Sequence, residues 1–281
     1  MSKLYFDKIT FIFFGIFCLV ISSAKAEVQG RYTDWIKELV TSKSYEKLIN
    51  PALPDSTDSQ PVQMTCLETQ KERYYIGVTQ SMIIKAPLDE VAKVVENIEQ
   101  DVDLFPGFAK VKVISHVGDQ VDTFWEQRIP IFFIPNVKYE MIYYFLPHPD
   151  EKTRLYRYQL KERGRIKESD GFIALEKISD QATRYFEIDF FDAEWGALET
   201  FAPGRIWKDS LDGIYISDRA TQLKAENPSW TAKQAREAAE KTAEKIEKET
   251  HKTPGEACAD HKTLQWDQTF PGLPLPAAPV K

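Results

Sequence analysis

The sequence predicts an α+β fold in which a curved antiparallel β-sheet packs on one long C-terminal helix, with extra helices near both ends of the chain. Between residues 74 and 191, several short segments alternate apolar and polar side chains, which is the period of strands with one buried face. Turn-forming residues separate these segments. A segment of helical period follows residue 203, and a long helix of this kind can cover one face of an antiparallel sheet.

The first residues of the chain have the features of a signal peptide. Lys3 and Lys8 give a positive flank, residues 11–21 form an apolar run, and the Ala-x-Ala sequence ending at Ala26 is accepted by signal peptidase. The apolar run is shorter than the roughly 20 residues of an ordinary transmembrane helix. We therefore expect cleavage of residues 1–26 and a periplasmic or secreted mature protein. An uncleaved N-terminal anchor is the alternative.

The charge balance of the chain is acidic. Lys and Arg number 36 against 43 Asp and Glu, which gives a formal net charge of −7. Such a balance gives no support to nucleic-acid binding or to strong attraction to anionic lipid. We therefore expect no nucleic-acid partner.

Two cysteines, Cys66 and Cys258, lie beyond the predicted signal peptide. In an oxidising compartment two cysteines most simply form one disulfide, which is the predicted pairing. A zinc site that adds His251 and His261 is the alternative. The spacing of these residues matches no common zinc pattern, so no metal is predicted.

The N-terminal region of the mature chain, residues 27–71, is predicted to be a helix followed by a linker. Residues 32–49 carry an apolar stripe at helical spacing. Residues 50–62 are rich in proline, serine and aspartate without any period, which is typical of a linker.

The main domain is predicted to span residues 72–226. It opens with a strand over residues 74–85 and a helix that begins near Pro87, because proline is tolerated in a first helical turn. Further strands are predicted near residues 109–113, 123–133, 137–146, 154–161, 171–178 and 183–191.

A long helix is predicted to begin near residues 203–204 and to run to about Glu226, where an Asn-Pro pair ends it. An additional helix is predicted within residues 227–252, with an Ala-, Glu- and Lys-rich sequence and a thin apolar stripe. Residues 253–281 are proline-rich, and we expect this tail to lack regular structure.

Several local sequences resemble those of the START-like superfamily, also called SRPBCC or Bet v 1-like, which includes polyketide cyclases and coenzyme Q-binding proteins. IIKAPLDEV at residues 83–91 resembles the first strand and helix start of that family. LFPGF at 104–108 resembles the turn into its second strand, GRIK at 164–167 with GFIAL at 171–175 its late hairpin, and FAPG at 201–204 the start of its last helix.

The resemblance implies the helix-grip fold over residues 72–226, with a deep apolar cavity under the last helix. Members of the family bind lipids, sterols, polyketides, quinones or hormones, and a minority are enzymes such as aromatic cyclases. The helix before the domain and the residues after 228 depart from the family pattern. Fold alone does not decide among these activities.

Aromatic and aliphatic side chains on the predicted sheet and closing helix are candidates for the wall of such a cavity, with ordinary core as the alternative. The candidate ligand-binding residues are Trp125, Tyr143, Tyr156, Tyr158, Phe186, Ile188, Trp207, Leu211 and Ile214, and Tyr144 and Phe190 belong to the same aromatic set. Buried tyrosine hydroxyls need hydrogen-bond partners, so a ligand with a few polar atoms would suit them.

These observations favour a protein that binds an apolar small molecule such as a lipid or isoprenoid. A variant of this hypothesis adds transport of the bound molecule. No cofactor is implied. One alternative is a cyclase-, dehydratase- or hydrolase-like enzyme that uses the same cavity. Its titratable groups would be Glu126, Arg128, Glu140 and Arg157 if their side chains faced inward, although we expect them to face outward.

Other functional signals are weak. His116 and His148 lie near a strand end and in a turn, where a solvated side chain is the simpler interpretation, so no catalytic residue is assigned. The apolar residues 129–135 are predicted to be a buried strand pair, with transient membrane contact through this hairpin as the alternative. A protein-interaction module, with the helical extensions as its surface, is the third hypothesis, and its partner is unknown.

Processing of the N-terminus gives the first testable prediction. We expect the exported protein to begin at Glu27, because the Ala-x-Ala site follows a positive flank and a short apolar core. Intact-mass spectrometry of the exported fraction measures this directly. Protein in that fraction that still begins at Met1 would show that the N-terminus is retained as an anchor.

Overall fold

A computed structural model of the chain describes residues 33–42, 59–66, 75–129, 135–147, 150–162, 164–193 and 203–260. In these residues the strands form one antiparallel sheet in the order β1-β2-β8-β7-β6-β5-β4-β3. The strands are β1 (Gln60–Cys66), β2 (Tyr75–Ile84), β3 (Phe108–Val117), β4 (Gln120–Gln127), β5 (Val137–Leu146), β6 (Thr153–Leu160), β7 (Ile166–Ser179) and β8 (Ala182–Ala193).

The described helices lie before, within and after the run of strands. They are α1 (Thr33–Thr41), α2 (Leu88–Glu96), α3 (Asp101–Leu104), α4 (Pro203–Glu226), α5 (Ala232–Thr250) and α6 (Pro254–Asp260), with a 3-10 turn at Ile98–Gln100. None of them is long and apolar enough to cross a membrane.

The architecture is an α+β helix-grip fold, which confirms the predicted fold class. The curved sheet presents one face to α4, and α4 contacts β1, β2 and α2. Pro87 precedes the first turn of α2, and the apolar face of α2 buries Leu88, Val91 and Ala92. On the other face of the sheet, α1 contacts β7, and Thr33 donates a hydrogen bond to Asp170 at 2.7 Å.

The additional helix α5 packs along α4 through a stripe of small residues. Its first turn has a capping box, in which Thr231 accepts from the backbone N–H of Gln234 and Gln234 accepts from the backbone N–H of Thr231. Ala235 and Ala239 are fully buried in the main core. These short side chains let the two helix backbones approach closely.

Two elements differ from the sequence prediction. The end of the predicted linker belongs to β1, in which Val62 is buried, because an edge strand tolerates a proline such as Pro61 near its start. The start of the predicted unstructured tail forms α6. Gly255 makes this possible, because a Cβ there would lie 2.9 Å from the backbone oxygen of Lys208 on α4. Its N–H also donates to Asp212 at 2.7 Å.

The predicted disulfide between Cys66 and Cys258 is present and joins β1 to α6, with a Cα–Cα distance of 5.5 Å. It closes a sequence separation of 192 residues, and a native bridge of this kind contributes about 2–5 kcal/mol. Because each sulfur is bonded to the other, neither cysteine is a free thiolate for zinc. His261, which the alternative zinc site would need, lies outside the described residues, as do the predicted signal peptide at 1–26 and residues 130–134 and 148.

Candidate functional site

A cavity of about 890 Å³ separates the sheet from α4. It remains open because α4 turns short side chains toward the sheet, among them Ser210, Gly213 and Ser217. Protein interiors normally contain few voids larger than a water molecule. A space of this size therefore distinguishes the interior from an ordinary filled core.

One wall of the cavity is aromatic. Trp125 on β4 stacks against Tyr139 and Tyr143 on β5, with ring centroids 6.4 Å and 6.2 Å apart. Tyr143 in turn contacts Tyr158 on β6 at 5.4 Å. Tyr156 also lines the cavity, and its hydroxyl donates to Glu96 on α2 at 2.8 Å. The predicted residues Trp125, Tyr143, Tyr156 and Tyr158 thus surround one space.

The residues of β8 that were predicted to line the cavity lie on the wrong face of the sheet. Tyr185, Glu187 and Asp189 line the cavity, so the alternating residues Phe186 and Ile188 lie on the opposite face of the sheet. Phe186 and Ile188 are fully buried there. Both faces of β8 are covered, so the apolar side chains of this strand do not indicate which face lines the cavity. The same alternation places Phe190 on the opposite face, beside Asp189.

On the closing helix α4, Ile214 lines the cavity as predicted. Leu211 does not, because it packs in a separate buried cluster with the Cys66–Cys258 disulfide. The backbone of residue 207 lies in α4, whereas the side chain of Trp207 is outside the described residues. Tyr144 also faces away from the cavity, beneath the Arg157 guanidinium at 3.9 Å.

The polar end of the cavity depends on a glycine in β7. Gly171 lies between Tyr158 and Asp189 in the register of β6, β7 and β8. A Cβ at Gly171 would lie 1.9 Å from Cζ of Tyr158, so only glycine lets the tyrosine ring lie across β7. The Tyr158 hydroxyl then donates to Glu187 at 2.7 Å.

Glu187 lies where the sheet faces the closing helix. It accepts hydrogen bonds from Tyr158 and Tyr185. The Asp218 carboxyl group on α4 lines the same space, and the charge of Glu187 acts on it. Glu187 and Asp218 therefore form an acid pair at the polar end of the cavity.

Burial keeps protons on these acids. It raises the pKa of Asp218 well above its usual value, and the negative charges of Glu187 and Asp189 act in the same direction. It also raises the pKa of Asp189 to about 8 and the pKa of Asp101 well above its usual value, with Glu187 as the second cause in both. The remaining accessible surface of Glu187 and Asp189 opens into the cavity.

The titratable residues that the enzyme hypothesis named are not the ones that meet in the cavity. Glu126 accepts from Asn136 at 2.7 Å, and Glu140 pairs with Lys161 at 3.2 Å. Arg157 lies on the opposite face of the sheet, so these three side chains face away from the cavity as expected. Arg128 lines one end of the cavity and is exposed.

The histidines do not contribute to the cavity as far as the structure describes them. His116 is exposed on β3, and His251 ends α5 with a left-handed φ of 59°. His148 lies outside the described residues.

Comparison with known proteins finds likenesses in structure and none in sequence. No family model and no curated protein matches the chain. Human STARD10 has 13% identity and a TM-score of 0.44, covering 86% of this chain and 93% of that one. A STAR-related lipid transfer protein from Xanthomonas axonopodis has 13% identity and a TM-score of 0.42, covering 66% and 97%.

The Zhui aromatase/cyclase from Streptomyces sp. R1128 has 15% identity and a TM-score of 0.43, covering 57% of this chain and 98% of that one. At identities and TM-scores of this size, a likeness says nothing about a ligand. The functional proposal below depends on the cavity of this chain.

Removal of one buried acid gives a testable pH dependence. In the unfolded chain an aspartate loses its proton near pH 4, whereas folded Asp189 keeps its proton up to about pH 8. The folded state therefore loses stability as the pH rises between these values. We expect Asp189→Asn to raise the free energy of unfolding more at pH 8 than at pH 4.5, by at least about 1 kcal/mol.

Denaturant unfolding of both proteins at the two pH values measures the difference. Glu126→Gln, which removes an outward-facing carboxylate from β4, is the matched control and should leave the pH dependence of the wild type in place. An equal effect of Asp189→Asn at both pH values would show that Asp189 ionises normally in the folded protein.

Proposed function

We propose that this protein binds a predominantly apolar small molecule, such as a lipid or isoprenoid, in its internal cavity outside the cytoplasm. The open cavity of about 890 Å³ between the aromatic wall and α4 carries this proposal. Pockets for small molecules are concave, mostly apolar and supplied with a few polar groups. Burial of an apolar ligand there would be favourable by about 25 cal/mol per Å² of apolar surface removed from water.

One end of the cavity is formed by a turn and a strand end. Phe105 and Phe108 border it, with Gly107 between them at a φ of 97°. The N–H of Arg128 donates to the backbone oxygen of Gly107 at 2.7 Å, which ties the end of β4 to this turn. Transient membrane contact through residues 129–135 stays the alternative to a buried strand pair, since residues 130–134 lie outside the described residues.

Export from the cytoplasm belongs to the same proposal. The signal-peptide pattern at residues 1–26 supports it. The pairing of Cys66 with Cys258 also supports it, because disulfides persist mainly in oxidising compartments. Transport of the ligand between membranes would be a natural use of a cavity protein in such a compartment.

A second candidate function is acid–base catalysis on the bound ligand. The observation that favours it is the acid pair of Glu187 and Asp218 beside Asp189, because a carboxyl group that keeps its proton near neutral pH can act as a general acid. Mass spectrometry of a ligand before and after incubation distinguishes the two functions. A binding protein returns its ligand unchanged, whereas an enzyme converts it and loses this activity in Glu187→Gln.

Filling the cavity at Gly213 tests the binding function. A Cβ at this position would meet only Pro106 Cγ, at an ordinary 3.8 Å. Gly213→Ala should therefore fit and raise the free energy of unfolding by up to about 1 kcal/mol, because alanine favours a helix over glycine. Gly213→Leu should project into the cavity, keep the fold and reduce the bound ligand several-fold.

The measurement is mass spectrometry of organic extracts of the purified proteins, with thermal melting of the same samples. Wild type and Gly213→Ala should carry the same apolar ligand in similar amounts, which makes Gly213→Ala the matched control. A wild type that neither carries nor takes up any apolar molecule, together with a strongly destabilised Gly213→Leu, would contradict the proposal and indicate a filled core.

A further inference from the structure

Carboxyl groups dominate the polar part of the cavity lining. Asp101 projects from α3, Glu187 and Asp189 from β8, and Asp218 from α4. Among the described residues that line the cavity, Arg128 is the one cationic side chain, and it is exposed at one end. The polar part of the cavity therefore offers mainly hydrogen-bond acceptors whenever these acids are ionised.

Several of these polar atoms have no hydrogen-bond partner within the protein. Gln80 is 1% exposed, and neither its amide nitrogen nor its amide oxygen is hydrogen-bonded. Asp218 is 4% exposed, with Oδ2 unpartnered, and Oδ1 of Asp189 is also unpartnered. Gln80 pairs directly with Glu187 across β2 and β8, so both side chains face the same space.

Buried polar groups in folded proteins are almost always hydrogen-bonded, and each exception calls for an explanation. Here the unpartnered atoms converge from β2, β8 and α4 on one region of an open cavity. A ligand with several N–H donors would supply the partners that the amide oxygen of Gln80 and the carboxylate oxygens of Asp189 and Asp218 lack. The apolar remainder of such a ligand would lie along the aromatic wall.

A positive charge suits this region better than a neutral donor. An alcohol can donate one hydrogen bond, but it leaves ionised carboxylates without a counter-charge in an apolar surrounding. An ammonium group supplies donors and the counter-charge together. Tyr143, whose ring stacks on Trp125, lies beside the acids, so aromatic ring faces are also available to a cation.

We infer that the ligand of this cavity carries a basic nitrogen, which binds as an ammonium ion against Asp189 and Asp218, with Gln80 as a further acceptor. The inference rests on the proposed function, because it names the polar end of the molecule that the cavity takes. The class of ligand is then an amphiphilic amine with an apolar chain or ring system.

The affinity for such a ligand should depend on pH, and the direction follows from the linkage between ligand binding and proton release. An ammonium ion binds ionised carboxylates and so displaces their protons, which makes its affinity rise with pH between about 5 and 8. The titratable groups that face the ammonium position are Asp101 from α3, Tyr139 and Tyr143 from β5, Tyr158 from β6, Tyr185, Glu187 and Asp189 from β8, and Asp218 from α4. The four tyrosines stay neutral in this range, because burial raises the pKa of each above its usual value.

Three amphiphiles with the same alkyl chain test the inference: dodecylamine, 1-dodecanol and dodecanoic acid. Isothermal titration calorimetry on the mature protein would measure each at about pH 5 and about pH 8. At pH 8 the amine should bind at least about tenfold tighter than the alcohol. The amine should lose several-fold of its affinity at pH 5, whereas the affinity of the alcohol should stay constant.

Asp189→Asn removes a charge but keeps the shape of the side chain. It should lower the affinity for dodecylamine by about tenfold and change the affinity for 1-dodecanol much less, because the alcohol carries no charge. Glu126→Gln, on the outer face of the sheet, should behave as wild type in every measurement.

Equal affinities for the amine and the alcohol at both pH values would overturn the inference and leave the proposed function standing. Tighter binding of dodecanoic acid than of dodecylamine would do the same. If none of the three amphiphiles binds and organic extracts contain no ligand, the proposed function fails and the inference fails with it.

Discussion

The pairing of β8 with β2 and β7 fixes which side chains meet the cavity. Gly171 stands opposite Asp189 in this register, and side-chain alternation then turns Glu187 and Asp189 toward α4. A shift by one residue would exchange the two sets. It would fill the cavity side with Phe186 and Ile188 and bury the carboxyl groups on the face that α1 approaches. The chemistry of the cavity therefore depends on strand register.

The two ends of the cavity have different physical causes. Its open, apolar part exists because α4 presents short side chains such as Gly213 where a filled core would need large ones. Its polar part exists because the Tyr158 ring lies over Gly171 and reaches Glu187, which lines the cavity together with Asp218 on α4. Acids therefore lie deep in an interior space, where buried groups are normally apolar.

The sequence predicts four aromatic residues that line the cavity, Trp125, Tyr143, Tyr156 and Tyr158, but neither Tyr139 nor the acids. In β4 the charged Glu126 follows Trp125, so alternation indicates the inner face of that strand. In β5 it does not, because Tyr143 lies between Ile142 and Tyr144. In β8 both faces are buried, and polarity alone suggests the wrong one. A signal was present in the neighbouring strand, because residues 171–175 form an apolar run without alternation, which indicates a sheet covered on both faces. Leu211 was misplaced because its contact with the distant disulfide is invisible to helical period.

The central claim is that the cavity is open and holds an apolar molecule with its polar end at the acids. The most direct measurement is a crystal structure of the purified protein at about pH 8, because burial raises the pKa of Asp189 to about that value. We predict continuous electron density along Trp125 and Tyr143 that ends within hydrogen-bond distance of Asp189 and Asp218. A cavity filled by repacked side chains, with no density for a ligand, would contradict the claim.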